Sequence, residues 1–281
     1  MRRRVFAGVF AMRDIIKSRE NPNIKRLCAL LTQKKERDET GLFVLEGSRL
    51  CLDACKAGID IESFFLTQQV VEKYPELENM VDLTKTIWID ETLCRRIGDT
   101  KSPQGVFAIA KKPNFAGAKN EINGGRTMCA ATKSGKYLLL AGLQDPGNLG
   151  GILRTACALG IDGVLVSQCP DLYSPKVVRA AMGAVWRVPV IFFTEPMEMI
   201  KHAKESCGNV YAAALSGNSM VINNVNTADG CAVLIGNEGA GLSEDLVGAC
   251  DESVIIPMSH GADSLNAASA AAILMWEMMK G

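Results

Sequence analysis

Three glycine-bearing stretches of this 281-residue chain hold the residue types that could do chemistry. In the first, LQDPGNLGGILRTA (143–156), Pro146 and Gly147 turn the chain and Asn148 can cap a helix. Gly150 and Gly151 open that helix, with Arg154 in its early turns. Amides at a helix start beside a guanidinium make a phosphate-facing surface. An ordinary strand–turn–helix with a surface arginine is the plainer account, but it explains the glycines less well. In the second stretch, IGNEGAGLSEDLV (235–247), Gly236, Gly239 and Gly241 let backbone approach a ligand closely. The spacing is not the G-x-G-x-x-G of dinucleotide folds, and the expected ribose-binding acid is missing, which excludes a nucleotide-binding Rossmann enzyme. Glu238 reads as a loop organiser rather than an acid–base group. The third stretch, IIPMSHGADSLNAASAA, begins at Ile255 and crosses a loop through Gly261. Asp263 or Ser264 is expected to start a final helix, with Asn266 in its first turn. An N-cap explains Ser264 but not the triplet Ser264-Leu265-Asn266.

Each stretch follows an apolar run that reads as a strand: YLLLAGL, CAVLI and SVIIPM. Further strands (GVLVS, RVPVIFF, VYAAALS) alternate with helices (PKVVRAAMGAV, PMEMIKHAKES and the closing DSLNAASAAAILMWEMMK). Continuous apolar strands separated by helices predict a mostly parallel sheet covered on both faces. Ligands of such sheets bind at the carboxyl ends of the strands, where all three stretches fall. Ahead of this lies a smaller α/β pattern: a helix over 23–33 and four short strands (GLFVLEG, IESFFLTQ, the end of ENMVDLTKTIWID, and GVFAIAKK) with helices SRLCLDACKAG and ETLCRRIGDT between them. The predicted organisation is a flexible extension over 1–11, translation starting at Met12, an α/β domain over 12–113, a Gly/Asn/Lys-rich linker over 114–135 and a second α/β domain over 136–281.

Lys plus Arg and Asp plus Glu both number 31, so net charge says nothing of partners, but its distribution does. Residues 1–50 hold twelve basic and six acidic residues, a surplus of six balanced by the remainder. A basic module joined to an acidic one suits an anionic partner at one end, and a solvated helix face would look the same. None of the ten cysteines forms a C-x-x-C pair and only His202 and His260 are present, so a structural metal is not expected. Free thiols suit a reducing cytoplasm. No apolar run is long enough for a membrane span.

Taken together, DPGNLGGILRTA, GNEGAGL and IPM…SLNAASAAAILMWE resemble the three signature motifs of the SpoU branch of the SPOUT methyltransferases, in the same order. NPNIKRL, FVLEG and SPQGVFAIA resemble that family's RNA substrate-binding domain, so the resemblance covers almost all of the chain after Met12. It implies a parallel sheet whose C-terminal part is threaded into a trefoil knot, a homodimer with a site completed across the interface, and S-adenosylmethionine held largely by backbone. The matching cofactor positions are Leu215, Gly236, Ile256 and Leu265. Arg154 matches the family's catalytic arginine, accompanied by Asn148, Glu238, Ser264 and Asn266. The family usually has Glu where this chain has Asp263, which is assigned no role. The implied reaction is methyl transfer to a ribose 2′-hydroxyl of RNA, with 23S ribosomal RNA as the expected substrate. A tRNA ribose methyltransferase of the same fold and a non-catalytic RNA- or ribosome-binding relative are the alternatives. Retention of Asn148, Arg154, Glu238, Ser264 and Asn266 argues against the latter. Arginine normally stays protonated, so Arg154 is expected to position RNA phosphate and stabilise alkoxide charge rather than act as a free base.

Overall fold

The computed structural model describes residues 14–98, 103–113, 135–215, 219–225, 227, 229–259 and 264–280. The extension over 1–11, Met12 and nearly all of the linker at 114–135 lie outside the described residues. The chain divides into two compact units, Met1–Pro113 with Tyr173–Pro175, and Asn114–Leu172 with Lys176–Gly281.

The first unit runs α1 (Pro22–Thr32), α2 (Lys34–Thr40), β1 (Leu42–Glu46), α3 (Ser48–Lys56), β2 (Ile61–Leu66), α4 (Gln68–Lys73), α5 (Glu76–Met80), β3 (Thr86–Trp88), α6 (Glu91–Ile97) and β4 (Val106–Lys111). Pro22 at the first helical position and the Asn21 side chain, accepting from Asn23 N, start α1. Its Ile24, Leu27, Leu30 and Leu31 recur at helical spacing and pack on Leu42, Val44, Phe65, Phe107 and Ile109 of the sheet. The strand order is β1-β4-β2-β3, with β4 antiparallel to both neighbours and β2 parallel to β3. The carboxyl ends of β1, β2 and β3 and the start of β4 therefore share one edge. Helices α2, α4 and α5 were not expected from the sequence. In α2, KKERDET has no apolar stripe, and Arg37 holds it by donating from the buried guanidinium to Leu30 O.

The second unit is a seven-stranded sheet. Its elements are β5 (Lys136–Ala141), α7 (Pro146–Leu159), β6 (Gly163–Ser167), α8 (Pro175–Ala181), β7 (Val190–Phe193), α9 (Pro196–Cys207), β8 (Asn209–Ala213), β9 (Met220–Val221), β10 (Cys231–Ile235), α10 (Glu244–Ala249), β11 (Glu252–Ile255) and α11 (Ala267–Lys280). The order is β7-β6-β5-β10-β8-β11-β9 and every pairing is parallel. Tyr137, Leu139 and Ala141 pack on one side with Met199, Ile200 and Ala203 of α9, while α7 and α11 cover the other. Burial on both faces is why these strands read as unbroken apolar runs; each fully buried leucine contributes about 1.5–3 kcal/mol.

The boundaries of α7 and α8 differ from expectation, for local reasons. The α8 pattern was expected to continue to Val185, but it ends at Ala181, where Met182 (φ 48°) and Gly183 (φ 89°) turn left-handed. That turn buries Val185 and Trp186. Helix α7 starts at Pro146, three residues before the expected Leu149, because Asp145 is the cap and accepts from Gly147 N at 3.0 Å. Gly150 is required by packing: a Cβ there would lie 2.5 Å from Ala180 Cβ and 2.7 Å from Val177 O. Gly150→Ala must push α8 away from α7 and is expected to destabilise the second unit by about 1–3 kcal/mol, read from urea denaturation midpoints.

Candidate active site

Because β5, β10, β8 and β11 are consecutive in the sheet and all parallel, the turns that leave them stand side by side, spaced by about 4.8 Å per strand. After β10, the chain folds back so tightly that Asn237 and Gly241 exchange both backbone hydrogen bonds, at 3.1 and 2.9 Å. A Cβ on Gly236 would lie 2.4 Å from Gly241 O. This glycine is thus needed for the turn itself. Asn237, a residue not singled out from the sequence, fixes the turn from both ends. Its Oδ1 accepts from Gly239 N and Ala240 N, and its Nδ2 donates to Gly142 O beyond β5.

The turn presents Glu238 to the neighbouring loop. The carboxylate accepts from Gln144 N at 3.0 Å, Asp145 N at 3.2 Å and Asn148 Nδ2 at 3.0 Å. Asn148 does not cap α7; it sits in the first turn, only 9% exposed, and its Oδ1 accepts from Asn266 Nδ2 at 3.0 Å. Asn266 in turn caps α11 by accepting from Ala268 N and Ser269 N. The final helix therefore starts at Ala267, after Asn266, not at Asp263 or Ser264. Gly261 and Asp263 lie outside the described residues. One hydrogen-bonded chain, Glu238–Asn148–Asn266, ties the three motif loops together.

Burial opposes ionisation of Glu238, yet the bonds from Asn148 and from the Gln144 and Asp145 amides outweigh it and hold the carboxyl below its ordinary value. Asp145 is lowered too, by the Lys176 ammonium at 2.7 Å and the Gly147 amide.

The other site residues are placed as follows. Ala213 and Val254 are register partners, as are Ala212 and Leu234. Leu215 and Ile256 both lie two residues past the first pair and so stand level, while Gly236, two residues past Leu234, stands level with Ala214, one residue short of them. Leu215 is 78% exposed, and Leu265 and Met258 are also exposed. Apolar side chains left open beside backbone of adjacent strand ends fit the adenine and thioether parts of S-adenosylmethionine. Ser264 is exposed. Arg154 is exposed on α7, six residues past Asn148, about 9 Å along the axis and on a different face. It is not part of the Glu238–Asn148–Asn266 chain, and no described residue pairs with it. Among the described residues no group of side chains is placed to hold a metal ion, the nine cysteines form no disulfide, and no helix is long and apolar enough to cross a membrane.

Fold and site define an α/β enzyme that takes its ligand at the carboxyl edge of a parallel sheet. Residues 135–276 match the SpoU rRNA Methylase family and residues 21–108 match the MRM3-like substrate binding domain. Among curated relatives, the 23S rRNA (guanosine(2553)-2′-O)-methyltransferase RlmP of Bacillus subtilis is 29% identical over 94% of this chain and 98% of its own. Among solved structures, the AdoMet-bound rRNA methyltransferase from Sinorhizobium meliloti is 30% identical, with a TM-score of 0.75 over 95% of this chain and 97% of that one. The SpoU methyltransferase AviRb from Streptomyces viridochromogenes, in complex with the cofactor AdoMet, is 27% identical, with a TM-score of 0.77 over 93% and 98%. The chain belongs to the SpoU rRNA methylase family and is an S-adenosylmethionine-dependent RNA methyltransferase.

Glu238→Gln leaves an amide to face three donors and is expected to lower turnover about 10- to 100-fold through misplaced loops while the chain still folds. The Glu238 and Asp145 carboxyls ionise more readily folded than unfolded. Their contribution to stability is complete above the unfolded value near about pH 4 and is lost as pH falls through the lower folded values. Melting temperature followed against pH should therefore fall in acid, with a shallower acid limb in Glu238→Gln; an unchanged limb would contradict the assignment.

Proposed function

We propose that the protein transfers the methyl group of S-adenosylmethionine to a ribose 2′-hydroxyl of 23S ribosomal RNA. The observation that carries this reading is the near end-to-end match to RlmP, substrate-binding unit included. The cofactor, when bound, supplies a methyl group on a sulfonium, which a hydroxyl oxygen can take by in-line displacement. The ribose hydroxyl is a weak nucleophile, so the protein must orient it and stabilise negative charge as its proton leaves. Glu238, Asn148 and Asn266 hold the three loops in register for that alignment. Leu215, Gly236, Ile256 and Leu265 are the cofactor contacts in this reading. Arg154, exposed and unpaired, binds RNA phosphate and stabilises the oxygen; Ser264 lies near enough in sequence to the cap of α11 to contact either ligand. We place the reaction in a reducing cytoplasm, in keeping with the thiols described above.

The same reading includes a homodimer and a trefoil knot. The knot is supported by β11 lying between β8 and β9, which are consecutive in the chain. The dimer is supported by α11. Its apolar side chains divide into buried Ala271, Leu274, Met275 and Met278 and exposed Ile273, Trp276 and Met279. Trp276 is 55% exposed, more than a monomer needs to leave uncovered on a closing helix. A second subunit covering this face would also explain why Arg154 stands apart from Asn148 within one chain.

Two measurements test these points. Ribose methylation mapped across total RNA from cells with and without the gene should differ at a 23S rRNA nucleotide. Arg154→Ala should abolish that mark while calorimetry shows S-adenosylmethionine binding retained. A difference confined to tRNA would move the substrate within the same chemistry, and no difference in any ribose would remove the reading. Separately, sedimentation should show a dimer that Trp276→Glu converts to monomer with loss of activity; a wild-type monomer would sink the shared site.

A further inference from the structure

The basic surplus at the start of the chain sorts, in three dimensions, into two groups. Five basic side chains of the first unit are paired locally. Lys25 pairs with Glu20, Arg26 with Glu62, Lys35 with Glu39, Lys111 with Asp60 and Lys112 with Asp38. Arg49, Arg95 and Arg96, which form no ion pair among the described residues, lie on the segments at the edge formed by the carboxyl ends of β1, β2 and β3.

Helix α6 lies across that edge, and its position can be followed residue by residue. Glu91 accepts from Gln69 N just beyond β2. The Cys94 thiol is close to the Gly105 backbone ahead of β4. Gly98, past the last turn, lies against Glu46 and Pro103 at the end of β1. This track brings exposed Arg95 and Arg96 toward the β1–α3 turn, which carries exposed Arg49. Ser48 N and Oγ both donate to Gln104 Oε1, at 2.9 and 3.0 Å, and lock that turn to the segment entering β4. The Arg19 guanidinium comes to the same helix end, donating to Arg96 O.

Among the described residues, Arg49, Arg95 and Arg96 form no ion pair. Of the described carboxylates at this edge, Asp90 accepts from Thr92 N, Glu91 from Gln69 N, and Glu46 is buried with interactions of its own. Helix electrostatics accounts for two arginines but not the third. Arg95 and Arg96 occupy the last turn of α6, where positive charge is favoured, but Arg49 occupies the first turn of α3, where it is disfavoured. Something outside the unit must repay that placement. Unpaired guanidiniums on a surface whose acids are already occupied match a phosphodiester backbone.

We propose that the carboxyl edge of the first unit, through Arg49, Arg95 and Arg96, is where this enzyme grips the phosphate backbone of its RNA. The inference rests on the RNA reading above and adds the face that the substrate meets. Arg19 braces the end of α6, and the opposite edge, with Lys111 and Lys112 paired, takes no part.

The test is filter binding of full-length protein to a 23S rRNA transcript between about 50 and 200 mM salt. The triple change Arg49→Gln, Arg95→Gln, Arg96→Gln should weaken binding at least about tenfold. It should also flatten the dependence of log affinity on log salt by about 2–3, one unit or slightly less per lost phosphate contact. S-adenosylmethionine binding should stay as in the wild type, which reports an intact fold. The corresponding triple Lys variant should keep most of the affinity, and Lys111→Gln should leave the salt slope unchanged. A triple Gln variant with wild-type affinity and slope overturns the proposal, as does a Lys111→Gln variant that loses as much. A wild-type protein that bound no RNA would instead overturn the functional reading itself.

Discussion

A single carboxylate determines whether the three motif loops form one site. A parallel sheet aligns its carboxyl ends but leaves the first amides beyond each strand without a partner in the ladder. In the turn after β5, beyond Gly142 whose amide donates to Ser167 O, two such amides belong to Gln144 and Asp145, and Glu238, reaching over from the turn after the adjacent strand β10, satisfies both. The reach is possible only because Gly236 and Gly241 let that turn close on itself and Asn237 pins it to Gly142 O. The arrangement then propagates through polarity. With its Nδ2 committed to Glu238, Asn148 can offer only its oxygen to the third loop. Asn266 must therefore present its amine to Asn148 and its oxygen to the start of α11.

Neutral amides suit this relay for an electrostatic reason. Each link in the chain is a hydrogen bond of ordinary length, so the loops are aligned with one net charge, that of Glu238, at its far end. Replacing either asparagine by an apolar residue would leave its partner's donor or acceptor unpaired in a half-buried place, at about 1–3 kcal/mol. A site that must receive a positively charged sulfonium and a polyanion in turn gains from loops held by dipoles, since fixed charges would favour one ligand over the other. The guanidinium of Arg154, exposed at the surface of α7, stays outside the relay.

How far this was legible in the sequence depended on what stabilises each part. The long strands were readable because they are buried on both faces, and α1 because one face meets the sheet. Helix α2 was not, since its hold is the tertiary bond from Arg37 to Leu30 O and KKERDET carries no stripe. Two-residue β9 and the six-residue α10 are too short for periodicity to show. At the site, residue types were visible but partners were not. Asp145, Asn148, Ser264 and Asn266 are all competent caps, and the choice among them is made by the contact between Asn148 and Asn266, 118 positions apart. Asn237 escaped attention because, beside Glu238 in a glycine-rich run, nothing in its own spacing distinguishes a turn-locking side chain from a surface one.

Charge shows the same division between composition and structure. The surplus of six over residues 1–50 correctly marked the end of the chain that carries the substrate-binding domain, but the count weighs Lys35, paired one turn away with Glu39, equally with Arg49. Exposed pairs of this kind contribute about 0–1 kcal/mol to stability and present little net field to a partner. What a polyanion meets is the residue of cations after local pairing, and that remainder is set by which acids the backbone has already claimed. Asp90 and Glu91 lie four to six residues from Arg95 and Arg96, yet Asp90 accepts from Thr92 N in the first turn of α6 and Glu91 from Gln69 N just beyond β2. The hydrogen bonds that finish the edge of this sheet thus also withhold its acids from its arginines. In both units amides that no ladder or helix claims hold carboxylates: those of Gln144 and Asp145 hold Glu238, and that of Gln69 holds Glu91.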